Sequence, residues 1–100
     1  MQSHYAESFE REMGCTEAEW LGWLPAAIGA NVWQRHGAAV EVGIGTQGTL
    51  SIAWQTGEPR VIAMARIPRL LVGFRFNGLD DTERYAFMKR FDLYMQRGGG

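Results

Sequence analysis

Cysteine is nearly absent from this 100-residue chain: Cys15 stands alone. One cysteine excludes an intrachain disulfide and any zinc site built on several thiolates. An excess of positive charge is also missing, since ten basic residues face eleven acids for a formal net charge of −1. That balance gives no general attraction to nucleic acid or to an anionic membrane. Long apolar runs are lacking too, and nothing approaches the roughly 20 residues of a membrane-spanning helix. The opening MQSHYAESFEREMG carries acids and no apolar core, unlike a secretory signal. A cytoplasmic location without membrane contact is the expectation.

What is present is the composition of an ordinary globular domain, 46% hydrophobic and 21% charged. Residues 1–100 read as one domain, with no repeat and no linker. The charge is uneven along it. Residues 1–50 hold two basic residues and six acids, net −4, whereas residues 51–100 hold eight and five, net +3. The surface is therefore expected to be dipolar.

Tyr5, Phe9 and Met13 recur at i, i+4, i+8, which predicts a short helix over residues 3–13 within a loosely packed segment 1–14. Thr16 and Glu19 have the spacing of a capping box, opening a helix whose apolar face is Trp20, Leu21, Leu24 and Ile28. Pro25 should kink or restart it, and Gly29 should end it. From Val40 the period becomes two, through Val42 and Ile44, then Leu50, Ile52 and Trp54. RVIAMAR at 60–66 is apolar at both parities, which predicts a strand covered on much of both faces. Leu70, Val72, Phe74 and Phe76 resume the alternation after Pro68, which marks a bend or a strand start. Asp80 and Glu83 then cap a second helix with Phe87, Met88, Phe91, Tyr94 and Met95 as its apolar stripe. VWQRHG at 32–37 fits either an edge strand or a loop.

Strands joined by short turns pair antiparallel. The expected fold class is α+β in two layers. An antiparallel meander of four to five strands is flanked in sequence by an N-terminal and a C-terminal helix, both packed on one face.

Few residues suggest chemistry. GIGTQG at 43–48 spells G-x-G-x-x-G, but a strand-like TLSIAW follows where a dinucleotide fold needs a helix, so a hairpin turn is expected. Cys15 precedes a helix N-terminus, where a thiolate is favoured, and is the candidate reactive thiol. Trp23 and Trp33 are surplus to a core of this size and suit an interface. Arg69 and Arg75 have the parity opposite the apolar side of their strand, where they offer a face to a small anionic ligand. That parity lacks stacking aromatics, which disfavours nucleic acid. The terminal RGGG shares a basic-then-glycine ending with sulfur carriers and ubiquitin-like modifiers, but here it follows a helix rather than a strand. Gly98 is a helix stop, Gly99 and Gly100 are either a handle or part of a flexible tail at 98–100, and the sharing ends there.

No catalytic set, cofactor motif or metal-ligand spacing emerges. The expected function is a small non-catalytic protein-interaction or binding module, through a protein partner or self-association as a homodimer. The alternatives are a carrier activated at its C-terminal glycine and an anionic-ligand site on the arginine face.

Overall fold

A computed structural model describes residues 4–97 of the chain. The elements run β1 (Ser8–Met13), α1 (Glu17–Ile28), β2 (Trp33–Arg35), β3 (Ala39–Ile44), β4 (Gly48–Thr56), β5 (Arg60–Ile62), β6 (Ala65–Ile67), β7 (Leu70–Asn77) and α2 (Asp81–Arg97). Five strands form one antiparallel sheet in the order β1-β7-β4-β3-β2, and β5 and β6 pair only with each other. Both helices lie on one face, so the α+β architecture is the expected one.

Three local expectations are corrected. Residues 8–13 are a strand, not a helix, because a spacing of four is also a multiple of two. Phe9, Arg11 and Met13 turn toward the helices, while Ser8, Glu10 and Glu12 turn away. Nor is this segment loosely attached: Tyr5 is 1% exposed, and β1 pairs along its length with β7. α1 does not restart at Pro25 but runs as one helix to Ile28, with the proline on its exposed side. The third correction concerns 60–66 and is described with the candidate site. The ambiguous stretch 32–37 resolves into the short edge strand β2.

β1 and β2 lie at opposite edges of the sheet, so the chain must cross its full width between them. Five strands span about 19 Å, and the 12 residues of α1 cover about 18 Å. The helix is long enough for that crossing, and it buries Trp20, Leu24, Ala27 and Ile28 against the strands. Thr16 and Glu19 form the expected capping box at its start. Its last turn has no basic residue of its own. Arg90 of α2 supplies one, donating from Nη1 to the carbonyls of Ala26 and Ala27 at 3.0 Å each. α2 is capped in turn by Asp80 and Glu83, each side chain accepting from the other's backbone N–H. Asp81, beside them, instead meets His4 at 2.8 Å and Arg84 at 3.5 Å.

GIGTQG is the β3–β4 turn, as expected. Gly45 has φ 65 there, and a Cβ at Gly48 would stand 2.2 Å from Leu79 Cδ2.

The N- and C-terminal parts of the chain meet at Asp92. Tyr5 Oη donates to its Oδ2 at 2.6 Å, and Arg11 Nη1 to its Oδ1 at 2.6 Å. Arg11 also lies over the rings of Phe9 and Phe74, 5.5 and 5.1 Å from their centres. Arg84, 8% exposed, donates to the carbonyls of Tyr5 and Leu79 at 2.8 Å each.

Burial first, and the Asp92 hydrogen bond second, push the Tyr5 hydroxyl up to about 12. An unfolded tyrosine ionises near 10, so the stabilisation is fully present below that pH and is lost as pH rises through about 12. Chemical denaturation should show the midpoint of Tyr5→Phe lowered at neutral pH, equivalent to about 1–3 kcal/mol for a hydrogen bond to a charged group. Above pH 10 the gap between the two proteins should narrow as the wild-type hydroxyl loses its proton advantage.

Candidate functional site

Residues 60–66 were expected to be a strand covered on much of both faces, and the structure overturns this. β5 and β6 form a three-by-three hairpin, with Ala63 and Met64 as its turn and every residue from 60 to 67 exposed. Val61 is 61% exposed, Ile62 54%, Met64 100% and Ile67 37%. The reason lies in the prolines. Pro59 precedes β5 and Pro68 follows β6, and neither can donate to a ladder. The last bond joining the two sides below the hairpin is Gly57 N–H to the Arg69 carbonyl at 2.8 Å. Beyond it the hairpin leaves the sheet as an arm.

The turn carries backbone strain. Ala63 has φ 54, the only positive φ outside glycine among the described residues. A tight hairpin turn normally places glycine or asparagine at such a position. For alanine the left-handed region costs about 1–2 kcal/mol.

The two faces of the arm differ. Arg60 is paired across with Ile67, and Ile62 with Ala65, so these four share a face. That face meets the body at its base. Arg60 Nη2 lies 2.8 Å from Glu12 Oε1, and Ile67 packs near Gly14. Arg69 Nε lies 3.8 Å from the other Glu12 oxygen, too far for a hydrogen bond. The opposite face carries Val61 beside Arg66, and Arg66 has no polar partner among the described residues.

The sheet face away from the helices is the second open surface. Across its centre Ala39, Ala53 and Gly73 lie in one register row, which ends at Glu10 of β1. Small side chains in the middle and long ones at the edges leave a depression of about 620 Å³, lined in part by Glu10, Glu12, Gln55 and Leu71. It continues toward Glu41, Ser51 and Arg75 as a second hollow of about 330 Å³.

The sequence-derived candidates do not converge here. Trp23 and Trp33 are half-buried on the helix side, packed against the core. Trp20 and Trp54 meet there as well with tilted rings, their centres 5.6 Å apart, and Trp54 Nε1 donates to Glu17 at 2.8 Å. Arg69 and Arg75 belong to the other side of the sheet. Six residues along an extended chain separate them by about 20 Å, too far to hold one small anion. Arg69 is already drawn to Glu12, whereas Arg75 stands exposed between Ser8 and Ser51. Cys15 is 1% exposed, and burial followed by the charge of Glu19 pushes its thiol above the ordinary value. Gly99 and Gly100 lie outside the described residues. The described residues contain no group of three or more His, Cys, Asp or Glu able to hold a metal ion. No helix among them is long and apolar enough to cross a membrane.

Sequence reasoning missed the arm residues Val61, Ile62, Met64 and Ile67. The available signal was the pair of prolines nine residues apart, which bracket a stretch too short for a central strand.

Comparison with protein-family models, curated proteins and solved structures finds no match for the chain.

The Cys15 environment sets a chemical expectation. A disulfide-exchange reagent at pH 8 should label native protein at under about 1% of the rate seen in denaturant, because it must await an opening of the fold. Stopped mixing with absorbance detection checks it, and fast native labelling would show that the thiol is accessible.

Proposed function

We propose that this protein is a small non-catalytic interaction module that binds another protein surface through its hairpin arm. The observation carrying the reading is the exposure of Val61, Ile62 and Met64 on a projecting two-stranded hairpin. Scattered exposed apolar residues are ordinary, but a contiguous group on one projection marks an interaction site. A short two-stranded hairpin is marginal by itself in water and gains from a partner that covers it. The strained turn at Ala63 points the same way, since such strain persists where the surroundings or a function sustain it.

The test compares wild type with the Ile62→Asp/Met64→Asp variant by light scattering and sedimentation, alone and after incubation with cell extract. Both side chains are exposed, so the variant should keep its circular dichroism and melting temperature. Wild type should associate, and the variant should remain at the 11.2 kDa of a monomer. A wild type that stays strictly monomeric and retains no partner would refute the reading. So would association that the two aspartates leave unchanged.

A further inference from the structure

We infer that the arm's partner is a second copy of this chain, whose open sheet face receives it, so that two copies exchange arms across a two-fold axis. This rests on the interaction-module reading and specifies its occupant.

Charge complementarity is the first ground. The arm, beyond the Gly57–Arg69 bond, carries Arg60 and Arg66 against the single acid Glu58. The open sheet face carries Glu10, Glu12 and Glu41 against Arg75 and, at the arm's base, Arg69. Within one chain Arg60 and Arg69 are already directed at Glu12, and Glu41 accepts from Ser51. Arg66 on the arm and Glu10 on the face are opposite in sign, and neither has a polar partner among the described residues; the same holds for Glu58 on the arm and Arg75 on the face. The arm's other face is the one held at the body by Glu12 and Gly14, so Arg66 and Val61 turn away from their own sheet. Arg66 is therefore placed to meet a Glu10 on another molecule.

Shape and area are the second ground. The depression has a floor of Ala53 and Gly73 with Leu71 beside it, low and partly apolar, and Glu10 at its margin. That relief fits a narrow hairpin carrying one cation among apolar side chains. A two-residue turn and two three-residue strands cannot supply the roughly 800 Å² per partner of a specific dimer. The sheet face adds about 19 Å by 20 Å, and a two-fold axis uses arm and face once on each copy. Self-complementary exchange of this kind closes at two copies and leaves no unsatisfied arm.

The experiment uses the full chain. Sedimentation equilibrium of wild type over a concentration series should fit a monomer–dimer equilibrium. Arg66→Glu and Glu10→Arg should each raise the dissociation constant about tenfold or more, because each places like charges together twice in the dimer. An equimolar mixture of the two variants should recover the wild-type constant, since both pairs are again opposite in sign in the mixed dimer. Circular dichroism verifies that both exposed substitutions leave the fold intact. Monomeric wild type overturns the exchange, as do variants that dimerise like wild type or a mixture that fails to recover. Monomeric wild type that holds a different protein in an arm-dependent way overturns it as well, while leaving the interaction module standing. Loss of all arm-dependent binding removes both.

Discussion

Asp92 is the point on which the ends of the fold depend. It lies on the last helix and accepts from Tyr5 and Arg11, which belong to the first described stretch of chain. These groups are about 80 residues apart in sequence, so their meeting requires the intervening chain to be in place. The Arg11 and Asp92 side chains are only 20% and 14% exposed. In such a site the cost of removing charge from water is offset by several hydrogen bonds at once, and losing one member leaves the others unpaired. Arg84 reinforces the closure by donating to the Tyr5 carbonyl from the same helix. Because β1 pairs only with β7, the edge of the sheet and the helix above it are secured together.

The two helices are coupled by a comparable device. α1 has no cation in its last turn, and Arg90 reaches over from α2 to its final carbonyls while stacking on Tyr94 at 4.4 Å. The guanidinium completes the end of a helix to which it does not belong. Sheet, first helix and second helix are thus connected by polar contacts as well as by the core of Trp20, Phe74 and Phe91.

Much of this architecture was legible in the sequence, and the reasons are local. Both capping boxes are short-range patterns, and both form. The alternation through Val40–Ile44, Leu50–Trp54 and Leu70–Phe76 reports a sheet with one covered face, which is a property of the pleat. The first strand was misread because Tyr5, Phe9 and Met13 fit either period, and Arg11, the charge on the inward side, finds its compensation only at Asp92. The misreading of 60–66 is more informative. Apolar residues at both parities suit a covered strand, but here they belong to a hairpin that stands clear of the sheet with both faces exposed. Trp23, Trp33, Arg69 and Arg75 could not be resolved into a site because their placement depends on which face the helices take. The sheet itself separates the tryptophans, on the helix side, from the arginines on the open side.

Pro59 and Pro68 have one more consequence. They stand at the two ends of a segment whose base is already closed by the Gly57–Arg69 hydrogen bond. Nothing in the five-stranded sheet takes a hydrogen bond from the strands beyond that point. The arm is therefore a removable module on a self-sufficient body. Its length and side chains are free to vary without disturbing the register of β4 on β7, and a short turn in its place would leave the body's hydrogen-bond ladder complete. The arm's sequence and the body's foldability lie in separate parts of this chain, so selection, or a designer, can change one without renegotiating the other.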